Sequence, residues 1–192
     1  MEDQLSSVTK KCHETISKQM NNSFVIFNEK DIGIFIHINN ENKDIYALLI
    51  NNYIKNEDYK DTKDIKINNK DEKIELEDII YKNKEDNISI IKLKQKNKKI
   101  NYIEIDDKLY EDKIYNNKES IYIIQYNNIN DILISYGLIK EINNNKLIYT
   151  GNINSKYKFI LIFNLSNNKL IGIHNNNDKK YFKEGIYLKK KY

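Results

Sequence analysis

Arginine, proline and tryptophan are absent from this 192-residue sequence, which contains one cysteine and five glycines. The lone cysteine, Cys12, excludes an internal disulfide and favours a reducing, intracellular setting. Every basic residue is therefore a lysine. Because arginine is the side chain best suited to bidentate contacts with phosphates and bases, sequence-specific recognition of nucleic acid is not expected.

Signals for export, membrane insertion and metal binding are also lacking. The first residues, Met-Glu-Asp-Gln, are acidic and polar and contain no apolar signal-peptide core. No apolar run approaches the length of a membrane span. No spacing of Cys, His and Asp indicates a zinc site, and no cofactor motif is present. We therefore expect a soluble intracellular protein with neither metal nor cofactor.

The residues that are abundant are those encoded by A/T-rich codons, namely Ile, Asn, Lys and Tyr. Hydrophobic residues make up 40% of the chain, so a core can be buried, and charged residues make up 31%, with a net charge of +4. Because codon bias supplies Asn and Lys everywhere, a single Asn or Lys is weak evidence of function. The length allows one domain or two small β-barrels packed together.

The hydrophobic pattern changes from helical to strand-like after the first twenty residues. Leu5, Val8, Cys12, Ile16 and Met20 recur every three or four positions, which predicts an amphipathic helix over Glu2–Met20. Short runs rich in Ile, Tyr, Phe and Val then alternate with turn residues, which is typical of an all-β barrel or sandwich. The predicted strands are Phe24–Phe27, Ile32–Ile38, Tyr46–Ile50, Asp64–Ile67, Ile74–Leu76, Ile88–Leu93, Tyr102–Ile105, Ile121–Tyr126, Ile132–Ile139, Lys146–Tyr149, Phe159–Phe163, Leu170–His174 and Ile186–Leu188.

Seven segments, taken in order, resemble motifs of the trypsin-like serine peptidases of protists and large DNA viruses. These segments are Gln19–Ser23 with Gly33–Ile38, Leu48–Ile54, Asn87–Leu93, Ser120–Tyr126, Ser135–Ile139 and Asn164–His174. The resemblance covers about residues 19 to 190 and implies a chymotrypsin-like double β-barrel with a short N-terminal α-helix. It implies an N-terminal helix over 1–22, a first barrel over 23–107, a linker over 108–119 and a second barrel over 120–192, with the former active-site cleft between the halves.

The positions that the resemblance assigns to catalysis carry other residues. Tyr53 stands at the catalytic His, and a phenol cannot serve as a base near neutral pH as imidazole does. Asn87 stands at the Asp and has no charge to stabilise an imidazolium. Lys158 stands at the nucleophilic Ser, and Lys156 replaces a glycine of the oxyanion hole. No glycine lies between Gly151 and Gly172, so no Gly-x-Ser-Gly can be recovered.

Other candidate residues allow a structural interpretation. Cys12 and His13 are neighbours on a predicted helix, so their side chains diverge, and Cys12 is interpreted as part of the apolar stripe. His37 and His174 lie in predicted strands and are interpreted as structural. Asp86 precedes Asn87, and on a strand the two side chains would point to opposite faces.

Lysines alternate along one segment and form the candidate binding residues. Lys92, Lys94, Lys96 and Lys98 would share one face if the strand extended that far. Such a stripe could contact nucleic-acid phosphates or another polyanion, or it could be a solvated face enriched in lysine by codon bias.

The sequence therefore favours a catalytically inactive homologue of trypsin-like peptidases, a pseudoprotease that binds another protein or contributes to an assembly. A large DNA virus of protists is the source that composition and resemblance suggest, and a virion component is one expected role. Two alternatives stay open. One is a residual hydrolase that uses Tyr53 and Lys158, and the other is a non-specific nucleic-acid or polyanion binder. The identity of the partner and the oligomeric state are not encoded in these patterns.

Overall fold

A computed structural model describes residues 10–27, 31–39, 43–55, 65–67, 70–106, 118–128, 131–143, 146–174 and 183–188. Over these residues the protein is mostly β, which confirms the all-β prediction. The helix is α1 (Lys10–Met20). The strands are β1 (Phe24–Phe27), β2 (Asp31–Ile38), β3 (Ile45–Ile50), β4 (Ile65–Ile67), β5 (Lys70–Glu72), β6 (Leu76–Asn83), β7 (Ile88–Leu93), β8 (Ile103–Glu104), β9 (Ser120–Asn128), β10 (Asp131–Asn143), β11 (Lys146–Gly151), β12 (Phe159–Asn164), β13 (Leu170–His174) and β14 (Lys183–Tyr187).

The chain divides into two compact units. Among the described residues, those from Ile16 to Glu104 form the first unit, and those from Ile105 to Leu188, together with residues 10–15, form the second. The predicted linker over 108–119 lies outside the described residues except for Lys118 and Glu119. No helix in the described ranges is long and apolar enough to cross a membrane.

The first unit is built on one sheet with the strand order β5-β4-β1-β2-β3-β7-β6. Strand β2 lies at its centre and is buried on both faces, as its nearly continuous apolar run predicts. Strands β1 and β8 share one edge of β2, antiparallel and parallel respectively, while β3 occupies the other edge. The core packs Val25, Phe27, Phe35, Leu48, Ile50, Ile54, Ile65, Ile67, Ile91, Leu93 and Ile100 together.

The second unit is a closed barrel of six antiparallel strands in the order β10-β11-β14-β13-β12-β9. Four of the five glycines of the chain lie in its strands. A Cβ on Gly185 would lie 2.9 Å from Cδ1 of Ile162, which belongs to a strand that does not pair with β14. A Cβ on Gly172 would lie 2.7 Å from the carbonyl oxygen of Ile186. The glycines therefore leave space that large side chains and backbone from other strands occupy.

The two units share one pattern of strand connections. In the second unit, numbered one to six along the chain, the pairs are 1–2, 2–3, 1–4, 3–6, 5–6 and 4–5. If β1, β2, β3, β4, β6 and β7 of the first unit are numbered likewise, they form the first five of these pairs. In the described residues of the first unit the sixth pair, which would close a barrel, is not formed.

Several predicted boundaries were wrong. Ile74 and Glu75 do not belong to a strand, and β6 instead runs from Leu76 to Asn83. Strand β5, whose three residues are all charged, was not predicted. Strand β14 begins at Lys183, three residues before the predicted start at Ile186. Residues 2–9 of the predicted helix, residue 64 of a predicted strand, and the side chains of Cys12 and His13 lie outside what the structure describes.

Candidate functional site

Tyr53 and Asn87 lie side by side in the first unit. The pairing of Ile50 with Ser89 brings the segment after β3 next to the turn before β7. The backbone N–H of Tyr53 donates a hydrogen bond to Oδ1 of Asn87 at 3.1 Å. The amide of Asn87 also donates to the carbonyl oxygen of Asn51 at 3.5 Å. Asn87 therefore holds the backbone of the Tyr53 segment.

The same segment is fixed by a buried serine and by a partly buried aspartate. The backbone N–H of Ile54 donates to Oγ of Ser89 at 2.9 Å, and Ser89 is fully buried. The amide of Asn52 donates to Oδ2 of Asp31 at 2.9 Å. Nζ of Lys82 lies 5.8 Å from the centre of the Tyr53 ring, within the range of a cation–π contact. Hydrogen bonds therefore hold this corner at three successive residues, Asn52, Tyr53 and Ile54, and its phenol is partly buried.

The turn before β7 explains the conformation of Asn87. Asn87 has a φ of 55°, in the left-handed region that Asn tolerates better than most residues. Oδ1 of Asn83 accepts from the backbone N–H groups of Glu85 and Asp86, and its amide donates to Oδ2 of Asp86 at 2.7 Å. Asp86 and Asn87 thus belong to a turn, so the prediction based on opposite strand faces was wrong.

In the second unit, the loop between β11 and β12 is anchored by a buried glutamine. Gln125, fully buried on β9, donates from Nε2 to the carbonyl oxygen of Asn152 and accepts the backbone N–H of Asn154, both at 2.7 Å. Oγ of Ser135 also donates to the Asn152 carbonyl, at 2.8 Å. Residues 152–154 are therefore held on the barrel by hydrogen bonds from two strands.

The next residues of this loop form a small polar cluster around Asp131. Oδ1 of Asp131 accepts from the hydroxyl of Tyr157 at 2.8 Å and from Nζ of Lys156 at 3.4 Å. These bonds, together with one from Asn127, hold the pKa of the Asp131 carboxyl below its usual value. The bond to Asp131 likewise raises the pKa of the Tyr157 phenol. The cluster therefore combines an ion pair with a buried phenol, and its carboxylate already accepts hydrogen bonds from three side chains.

The backbone at Lys156 is also engaged. Its N–H donates to Oδ1 of Asn154 at 3.1 Å, within the same loop. The side chain of Lys158 is exposed. Of the four positions that the sequence analysis assigned to catalysis, Tyr53 and Asn87 meet in the first unit, whereas Lys156 and Lys158 belong to the second unit.

The predicted lysine stripe does not continue as a strand, because β7 ends at Leu93. Lys92 forms an ion pair with Glu77 of β6, and Lys94 pairs with Glu75 at 3.5 Å. The hydrogen bond from Lys92 lowers the pKa of the Glu77 carboxyl. Lys96 lies over the ring of Tyr46, 4.9 Å from its centre, and Lys98 is exposed. The four lysines thus have three different environments.

Sequence reasoning missed a cavity next to this segment. It has a volume of about 420 Å³ and is lined by Lys73, Ile74, Glu75, Leu93, Gln95, Lys96, Asn97 and Lys98. The signal in the sequence was weak, since Ile74 and Glu75, which line the cavity, were predicted to lie in a short strand over Ile74–Leu76.

Aromatic rings pack around Tyr46, which contacts the cavity-lining Lys96. Tyr46, the residue under Lys96, stacks on His37 with ring centres 4.9 Å apart. It also meets Tyr102 edge to face at 4.8 Å. Nε2 of His37 is 3.0 Å from Oδ1 of Asp44, so His37 is held on both its face and its edge.

His174 lies inside the second unit. It is 6% exposed, and its Nδ1 is 2.6 Å from the hydroxyl oxygen of the fully buried Tyr149. Burial, with a smaller contribution from the charge of Lys183, lowers the pKa of His174 to about 4. Across the described residues, no group of three or more His, Cys, Asp and Glu side chains is arranged to hold a metal ion.

Comparison of the sequence with known protein-family models and with curated proteins finds no match.

Proposed function

We propose that this protein is a catalytically inactive relative of the trypsin-like serine peptidases that acts by binding another protein or as a structural component of an assembly. The observation that carries the proposal is the Tyr53–Asn87 corner. Two segments that the sequence resemblance aligns with the catalytic His and Asp lie 34 residues apart in sequence, yet they are joined by a hydrogen bond.

The repeated connectivity supports the family assignment. A double β-barrel requires two units of similar construction, and here the same antiparallel strand pairs occur in both units, apart from one closing pair. The segments that resemble peptidase motifs occupy strands in both units, so the resemblance does not depend on one stretch of biased composition.

The residues at the substituted catalytic positions support the proposed loss of peptidase activity. Asn87 contributes its side-chain oxygen to the backbone of Tyr53 and carries no charge. The N–H of Lys156, which stands where an oxyanion-hole donor is expected, already donates to Asn154. Lys158 is exposed on a loop without glycine. None of these groups provides an activated nucleophile with an adjacent base.

Without catalytic activity, a peptidase fold can still bind other proteins, and binding is the role that we propose. We further propose that the protein is a virion component of a large DNA virus of protists. The alternative of a polyanion stripe is weakened because Lys92 and Lys94 are already paired with carboxylates. The alternative of a residual hydrolase predicts an activated group at Tyr53 or Lys158, and it is tested directly.

A fluorophosphonate probe, which forms a covalent bond with activated hydrolase nucleophiles, distinguishes these functions. We expect the intact native protein to gain no probe mass beyond that of a heat-denatured sample, because no activated nucleophile is present. The variants Tyr53→Phe and Lys158→Gln are labelled in parallel to identify which residue reacts, if any does. Labelling of the native protein that disappears in either variant would establish the residual hydrolase and overturn the proposal.

A further inference from the structure

We propose that the cavity formed by residues 73–75 and 93–98 is a binding site for an acidic peptide segment of a protein partner. The proposal rests on the protein-binding function proposed above and assigns it a surface and a ligand chemistry. Three observations support it: lysines outnumber carboxylates in the lining, two lining residues are apolar, and hydrogen bonds hold the loop that carries Lys96 and Lys98.

The charge around the cavity is predominantly positive. Three lysines, Lys73, Lys96 and Lys98, line it against a single carboxylate, that of Glu75. Glu75 is already paired with Lys94, 3.5 Å away, so its charge is partly compensated. Among the described residues, no carboxylate pairs with Lys73 or Lys98. A ligand with several carboxylates would therefore find ammonium groups on more than one side.

Two apolar side chains, those of Ile74 and Leu93, line part of the cavity. Leu93 is 3% exposed and belongs to the core of the first unit, and Ile74 packs against that core. A leucine-sized side chain entering the cavity would bury apolar surface here while flanking carboxylates met the lysines. Peptides combine these two properties on adjacent residues, so an acidic peptide with an apolar side chain fits the lining.

The loop that carries Lys96 and Lys98 is fixed before any ligand arrives. The backbone N–H of Asn97 donates to the hydroxyl oxygen of Tyr102 at 3.0 Å. The N–H of Lys99 donates to Oδ1 of Asn97 at 2.9 Å, and Ile100 is anchored in the core at 4% exposure. Because the loop is ordered by these contacts, binding costs little loss of loop entropy.

Nucleic acid fits the same surface less well. Lysines that could follow a phosphate backbone along the strand are interrupted at Lys92 and Lys94, which are paired with Glu77 and Glu75. A cavity of about 420 Å³ accommodates one or two side chains rather than a continuous strand.

The test uses short fluorescent peptides and fluorescence anisotropy at physiological salt. The probe peptide has a central leucine flanked by glutamates, its matched control has glutamines instead, and an oligothymidylate of equal charge represents nucleic acid. We expect saturable binding of the acidic peptide and loss of binding with glutamines. The variant Lys96→Gln/Lys98→Gln should weaken the affinity about tenfold, from the loss of two partly screened charge contacts.

A matched control variant, Lys84→Gln/Lys99→Gln, removes two exposed lysines that do not line the cavity and leaves the same net charge. It should change the affinity less than twofold. Equal weakening by both double variants, no binding of the acidic peptide, or tighter binding of oligothymidylate would each overturn the proposed site. Such a result combined with absent fluorophosphonate labelling would leave the inactive-peptidase proposal standing, whereas labelling would refute that proposal independently of this site.

Discussion

Replacing Asn164 by leucine should lower the free energy of unfolding by about 3 kcal/mol, the cost of leaving buried polar groups with fewer partners. Asn164 is 1% exposed at the end of β12, and its amide donates to Oδ2 of Asp106 at 3.2 Å and to Oε2 of Glu119 at 3.3 Å. Asp106 is fully buried, so a leucine at 164 would remove a donor from a carboxylate that water does not reach. Urea denaturation of the wild type and the variant measures the difference.

The neighbouring Ser166→Ala variant is the control for this experiment. Ser166 is exposed, and its hydroxyl donates to Oδ1 of Asn164 at 2.7 Å without contacting the buried carboxylate. We expect a loss of about 1 kcal/mol or less for this single hydrogen bond. If Asn164→Leu costs no more than Ser166→Ala, the Asp106 network does not stabilise the second unit as described.

Acidification should destabilise the protein through His174. The folded state holds the pKa of this imidazole at about 4, whereas the ordinary value is 6.5. Between these values the unfolded chain binds a proton that the folded chain does not bind, so stability is fully present above pH 6.5 and falls as the pH decreases. The contribution of His174 to this loss should be about 2–3 kcal/mol between pH 7.5 and pH 4.5.

The variant His174→Gln isolates this contribution because glutamine does not titrate and keeps an acceptor for the Tyr149 hydroxyl. Denaturation is measured for both proteins between pH 7.5 and pH 4.5. Over this range the free energy of unfolding of the variant should fall by about 2–3 kcal/mol less than that of the wild type. Tyr149→Phe removes the hydroxyl that lies 2.6 Å from Nδ1 but leaves the ring buried, and it should retain the acid dependence because burial is its main cause. Identical pH dependence in wild type and His174→Gln would contradict this explanation.

The sequence predicted most strands because short segments rich in hydrophobic residues alternate with polar turns. Strands β1, β7 and β13 have the predicted boundaries, and apolar residues predominate in each. Strand β6 was largely missed for the opposite reason. Its pairing with β7 shifts register between Leu76 and Ile79 and again between Ile79 and Tyr81, which disrupts the alternation that identifies a strand. Strand β5 forms by pairing with β4, a contact that three charged residues do not indicate.

The sequence singled out candidate residues, but it indicated neither their contacts nor the cavity. The motif resemblance located Tyr53 and Asn87, yet the hydrogen bond between the Asn87 side chain and the Tyr53 backbone depends on the left-handed turn at Asn87. The alternation of Lys92, Lys94, Lys96 and Lys98 suggested one face. The structure separates them because the strand ends at Leu93, and the N–H of Lys94 bonds instead to the carbonyl oxygen of Glu75.

Mass spectrometry of a proteome-derived peptide library incubated with the native protein tests most directly our proposal that the protein binds acidic segments of a protein partner without cleaving them. Both the peptides retained by the protein and any newly formed peptide termini are recorded in the same measurement. The account predicts that the retained peptides are enriched in aspartate and glutamate and that no new termini form. New termini that vanish when Tyr53 or Lys158 is substituted would contradict it.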